Sequence, residues 1–182
     1  MATATRLLTA EDVFNLPSDL RCELIDGVLI EMSPPGPEHG MIAATIARFL
    51  GNHAVSQRLG IVFGEAGFIL RRGPDTVRAP DAAFIRAERV PPTGPPKTFW
   101  ETAPDLIVEV VSPNDTPAEV QAKIHTWIEA GVQLAWVVYP ATHRVVVVRS
   151  LQERVELTEE DTLSGEDVLP GFMCAVHEIF RW

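Results

Sequence analysis

Asp105-Leu106-Ile107-Val108-Glu109-Val110-Val111 has the length and the β-branched content of a buried strand, and it carries one carboxylate, Glu109, within the apolar run. Leaving a polar group unanswered among Ile, Val and Leu costs roughly 2–7 kcal/mol, and an ion costs more. Glu109 therefore calls for a cation or for hydrogen-bond donors. About 28 residues upstream, Val77-Arg78-Ala79-Pro80-Asp81-Ala82-Ala83-Phe84-Ile85 repeats the pattern, with Asp81 entering an apolar β-type run. Two strand carboxylates that converge in space would bind a divalent metal.

The chain has 182 residues, 46% of them hydrophobic, which suits one domain over residues 1–182 with a single well-buried core. No apolar run approaches the ~20 residues of a membrane span, and Met1-Ala2-Thr3-Ala4-Thr5-Arg6 lacks the apolar centre of a signal peptide. The expectation is a soluble, cytoplasmic protein with no membrane partner. Cys22 and Cys174 follow no metal-ligand or redox spacing and read as buried free thiols.

The formal net charge of −10 argues against binding nucleic acid by bulk electrostatics. Most of the excess is C-terminal, since residues 151–182 hold eight acidic side chains against two basic ones. Between Arg71 and Lys97 the balance reverses, with Arg71, Arg72, Arg78, Arg86, Arg89 and Lys97 against Asp75, Asp81 and Glu88. Either a local basic surface beside Asp81 or an ordinary solvated loop would give this pattern.

The element order is mixed α/β. Thr9 caps a short helix with Glu11 and Asp12 in its first turn, ending near Leu16-Pro17. Asp26-Gly27 joins Cys22–Ile25 to Val28–Met32 as a hairpin. A helix over about 38–54 presents Ile42, Ile46, Phe49 and Leu50 on one face. Strands follow at about 61–70 and 77–85, then a Pro-rich loop from Val90 to Pro96, then the Glu109 strand. Asp115 or Thr116 caps a helix through Ala118–Ala130 that Gly131 stops. Leu134–Val138 and Arg144–Arg149 make a hairpin through Pro140-Ala141-Thr142, and Val155-Glu156-Leu157 and Leu169–Phe172 form a short strand and a closing segment.

The chemistry turns on Asp81, Glu109 and Lys123, with Glu23 and His39 as additions. Carboxylates that hold Mg²⁺, a metal that acidifies a bound water, and a lysine that stabilises developing negative charge are what metal-dependent phosphodiester cleavage requires. The chain has only two lysines, Lys97 and Lys123. Competing readings exist for each residue: an exposed i,i+4 pair for Glu119 and Lys123, an outward strand position for Glu23, a surface histidine for His39, a turn or edge acid for Asp81, and an Arg-paired buried acid for Glu109.

The order Arg21-x-Glu23-Leu24-Ile25-Asp26-Gly27, Ser33-Pro34-Pro35 with His39, Pro80-Asp81, Leu106-x-Val108-Glu109-Val110-x-Ser112-Pro113, Lys123, Ala130-Gly131-Val132-x-x-x-Trp136 and Leu169-Pro170-Gly171-Phe172 resembles the Uma2 family of restriction-endonuclease-like proteins, within the PD-(D/E)XK nuclease superfamily. The resemblance spans about residues 9–180. It implies an α/β, restriction-endonuclease-like core, a mixed β-sheet flanked by helices, with the N-terminal β-hairpin beside it. It also implies Asp81 and Glu109 as metal ligands, Lys123 as the lysine displaced from strand to helix, and Glu23 and His39 lining the same cleft. The implied activity is endonucleolytic hydrolysis of nucleic acid, DNA before RNA, with two copies pairing to cut two strands. Hard oxygen ligands suit Mg²⁺ or Mn²⁺ over Zn²⁺. Trp127 stands where the family often has Tyr, and Glu119 where Asp is common. The alternative is a catalytically silent nuclease-fold module for binding or assembly, which the net charge and the lack of a clear basic groove favour.

Overall fold

Two short crossings between two sheets, at residues 64–67 and at residues 79–81, set the architecture. The structure is a computed structural model that describes residues 6–17 and 20–181. It begins with helix α1 (Ala10–Phe14), capped by Thr9 in a reciprocal box with Asp12, and the hairpin β1 (Cys22–Ile25) and β2 (Val28–Glu31). Asp26 and Gly27 take φ values of 52° and 75°, which is why Asp-Gly is found at this tight turn. Helix α2 (Pro37–Ser56) follows, then β3 (Gly60–Phe63), β4 (Phe68–Arg71), β5 (Thr76–Arg78) and β6 (Ala82–Arg86). Next come β7 (Leu106–Val110), α3 (Pro117–Glu129), β8 (Leu134–Tyr139), β9 (Arg144–Val148) and β10 (Arg154–Leu157). A small hairpin, β11 (Thr162–Ser164) with β12 (Met173–Ala175), and helix α4 (Val176–Phe180) close the described chain.

The main sheet is six-stranded in the order β10-β9-β8-β7-β6-β3. Only β7 and β8 run parallel, so the sheet is mixed. A parallel pair needs a crossover, and α3 supplies it. The second sheet is antiparallel, β2-β1-β5-β4. The expected hairpin is therefore half of a larger sheet.

Residues 77–85 are not one strand, and the runs Ile61-Val62-Phe63 and Phe68-Ile69-Leu70 within 61–70 do not share a sheet: β3 and β6 belong to the main sheet, while β4 and β5 belong to the second. Pro80 cannot donate to a ladder and favours a break. Asp81 consequently sits in the bend just before β6, rather than inside a strand. The closing segment after 157 also holds structure the sequence pattern did not reveal, namely β11, β12 and α4.

Side chains alternate across β7. Leu106, Val108 and Val110 pack into the core shared with Ile42, Ile46 and Leu50 of α2 and with Ile179 of α4. Ile107 joins Ile124 and Trp127 of α3 on the opposite face. By the period of two, Glu109 shares the face of Ile107 and lies under α3. All five β7 residues are buried, which explains the near-continuous apolar run. No helix among the described residues is long and apolar enough to cross a membrane.

Candidate active site

Glu109 is 6% exposed, so its carboxylate has to find partners within the protein. Its Oε1 accepts from the Trp127 indole Nε1 at 2.7 Å, and Lys123 Nζ approaches Oε2 at 3.3 Å. Lys123 and Trp127 are four residues apart on α3 and therefore neighbours on one helix face. The crossover that connects β7 to β8 thus brings both donors over the strand carboxylate. Glu119, by contrast, closes the capping box with Thr116 and leaves Lys123 to Glu109.

Asp81 reaches the same place from the other side. Extending the β6–β7 register one step beyond Ala82↔Val108 sets position 81 beside position 109. The Val111 N–H bonds to Val138 O on the β8 side, so the Val110 N–H points towards β6, where the strand has already bent away. Asp81 Oδ2 accepts that N–H at 2.7 Å. His39, buried near the start of α2, faces the same oxygen with Nε2 at 3.4 Å. Asp81 raises the His39 imidazole above its ordinary pKa, with burial acting against it. His39 Nδ1 is buried with no partner among the described residues.

Glu23, on β1, is also buried and binds Arg78 Nη1 of β5 at 2.5 Å. Its charge is felt at both Glu109 and Lys123. Desolvation pushes the Glu109 carboxyl up to about 7, Lys123 pulls it back, and Asp81 and Glu23 push it further. Lys123 is held above its ordinary pKa: burial opposes its charge, and the fields of Glu109 and Glu23 outweigh that. The structure therefore brings together Glu23, His39, Asp81, Glu109 and Lys123.

Whether these residues suit a metal can be judged from the donors. Asp81 Oδ1 makes no hydrogen bond among the described residues, and Glu109 Oε2 has only the long contact from Lys123. No cluster of three or more His, Cys, Asp or Glu residues arranged to hold an ion occurs among the described residues. Two carboxylates, with the neighbouring His39 turned to Asp81 Oδ2, lack the His and Cys set of a zinc site but meet the needs of Mg²⁺, which binds through one or two carboxylates and keeps waters or phosphate oxygens. A buried carboxyl whose ionisation is opposed by two neighbouring carboxylates is also one that a cation would stabilise. The donor set fits a hard divalent ion.

Residues 10–177 match a family described as "Putative restriction endonuclease", named Uma2. The chain belongs to the Uma2 family. A crystal structure described as "a putative nuclease belonging to DUF820", from Anabaena variabilis, is 21% identical to this Uma2 chain. The alignment covers 95% of this chain and 97% of that one, with a TM-score of 0.82, so the two share a fold. No curated protein matches the chain.

In this Uma2 chain, sequence reasoning missed Trp127 as a partner of Glu109 and Arg78 as a partner of Glu23. Trp127 was visible as a residue four positions after Lys123, the spacing that places two side chains on one helix face. Arg78 was visible only as part of a basic run. The five arginines of that run are engaged within the chain, while Lys97 is exposed. Arg71 pairs with Asp26, Arg72 with Glu11, Asp75 and Glu101, Arg78 with Glu23 and Arg89 with Asp105, while Arg86 donates to the carbonyls of Asp167 and Val168. Glu109 has Lys123 and Trp127 rather than an arginine, whereas Glu23 is paired with Arg78 and the fully buried Asp105 is bound by Arg89 at 2.8 Å. The free thiols of Cys22 and Cys174 are half-buried.

Proposed function

We propose that this chain, as one nuclease-like domain, is a metal-dependent endonuclease that hydrolyses phosphodiester bonds of nucleic acid, with DNA as the first substrate class. The observation that supports it most is the convergence of Asp81, Glu109 and Lys123 on one spot, where β7 ends and β6 begins. Asp81 and Glu109 are the metal ligands in this reading, with Mg²⁺ as the ion and Mn²⁺ as its substitute. When bound, the ion would acidify a coordinated water and offset negative charge on the phosphate.

The chain's own residues do the rest. The Val110 N–H fixes Asp81 Oδ2, which leaves Oδ1 for ligation. Trp127 fixes Glu109 Oε1 and leaves Oε2 for ligation. Lys123 keeps its proton beside Glu109 and supplies positive charge where negative charge develops on the phosphate oxygens. Glu23, anchored by Arg78, holds Lys123 in its charged form and orients the attacking water. His39 braces Asp81.

The spent basic run favours a second reading, a nuclease fold kept for binding or assembly. One experiment separates the two. Supercoiled plasmid and single-stranded oligonucleotide are incubated with wild type, Asp81→Asn and Glu109→Gln in Mg²⁺, in Mn²⁺ and in a chelator. Cleavage by the wild type in either metal, lost in the chelator and in both variants, is the expected result. A folded wild type that cleaves neither substrate in either metal would overturn the enzyme reading and leave the module.

A further inference from the structure

A cavity of about 480 Å³ opens beside the site, between α1, the hairpin and the start of β4. This lies within the roughly 300–1,000 Å³ of small-molecule sites. Glu23, Arg78 and Ala79 form part of its wall, and Ala79, whose N–H donates to Glu23, lies two residues before Asp81, so the cavity borders the site. Its far wall is aromatic, with Phe14 and Phe99 packed edge to face at 5.2 Å between ring centroids. Gly67 lies directly under Phe99: a Cβ there would come within 2.3 Å of the ring, so the absence of a side chain is what lets the ring settle against the backbone. At the rim, Arg21 is paired with exposed Glu65 at 2.8 Å, a surface pair that a bound anion can replace at little cost. Deeper in, the nine-tenths buried Arg78 guanidinium gives Nη1 to Glu23, and its Nε has no partner among the described residues.

A pocket lined by two aromatic rings and by two arginines, each paired with a glutamate of the same wall, suits a nucleotide: an aromatic base against the rings, and a phosphate or base carbonyl on Arg21 in place of the exposed Glu65 carboxylate. We propose that this cavity receives the base of a nucleotide next to the scissile phosphate, and that the substrate strand is therefore engaged single-stranded or with that nucleotide turned out of the helix. A base stacked inside a duplex cannot enter a side pocket, so the proposal narrows the substrate to unstacked nucleic acid. It rests on the nuclease reading for the position of the scissile phosphate, but the binding it describes can be measured without cleavage.

The test measures affinity by fluorescence anisotropy, with Ca²⁺ in place of Mg²⁺, for end-labelled single-stranded oligonucleotides in which one abasic site is walked along the sequence. Wild type is compared with Phe14→Ala and Phe99→Leu. Phe14 is 44% exposed, so its truncation spares the fold. The expected result is one position at which loss of the base weakens wild-type binding about tenfold, with little further loss in either variant. Equal losses in wild type and variants, tighter binding to duplex than to single strand, or no binding of any oligonucleotide would each overturn the proposal. Binding with this coupling but no cleavage in Mg²⁺ would instead overturn the nuclease reading and leave the nucleotide pocket standing.

Discussion

The Trp127 indole donates to Glu109 Oε1 at 2.7 Å across the interface between α3 and β7. Indole is a donor only, and it keeps no proton in dispute with the carboxylate. One oxygen of a buried acid is thereby satisfied permanently, and the other is kept for an ion or for Lys123.

Trp127→Phe retains most of the ring but removes the donor. Stability should fall by about 1–3 kcal/mol, the usual cost of an unsatisfied buried group. Metal affinity should fall by roughly tenfold or more, as when the partner that orients a ligand is lost. Urea unfolding and calorimetry on the same preparation check both.

Lys123→Met should lower kcat by about 10²–10³ and leave KM nearly unchanged, as expected of a charge that acts on the transition state. The charge of Lys123 also lowers the Glu109 pKa, more than the Trp127 hydrogen bond does. The pH profile of the residual activity should therefore move to higher pH, which a purely structural role for Lys123 would not produce.

Glu23→Ala leaves the Arg78 guanidinium buried without its counter-charge. A loss of about 3–5 kcal/mol is expected, as for breaking a buried pair from one side. Thermal unfolding should show it, and Glu23→Ala with Arg78→Met should recover part of the loss.

The metal-free protein should lose stability as pH rises from about 4.5 towards 7. Glu109 titrates near 7 in the folded chain against 4.5 as its ordinary value. Between the two, the folded state holds the proton that the unfolded state has released, so this group's contribution is complete at low pH and vanishes above the folded pKa. Lys123 has the same sign, but its effect lies above pH 10.5 and does not enter this window. Glu109→Gln should lack the slope between pH 5 and 6.5, above which His39, also raised from its ordinary value, adds a loss of the same sign; denaturant midpoints at pH 5, 6, 7 and 8 measure both.

Much of the fold was legible because local signals agreed with it. Asp26-Gly27, the capping residues Thr9 and Thr116, and the stop at Gly131 each carry a mechanism that depends on few neighbours. The exchange of strands between two sheets was not legible, since Ile61-Val62-Phe63 and Phe68-Ile69-Leu70 read as neighbouring runs with nothing to assign them to different sheets, and in 77–85 only Pro80 marks the break. The short hairpin β11–β12 and α4 have too few residues to show a period. Glu109 announced itself because a charge in a buried strand demands a reason. Trp127 and Arg78 did not, because a tryptophan on a helix and an arginine in a basic run have commonplace explanations that only the packing removes.

The most direct test of the account is a calorimetric titration of Mn²⁺ into the metal-free wild type at pH 7.5, beside Asp81→Asn and Glu109→Gln shown to be folded. The account predicts saturable binding to the wild type with release of protons as Glu109 ionises, and its loss in both variants. Equal binding by all three proteins, or none by the wild type, would contradict it.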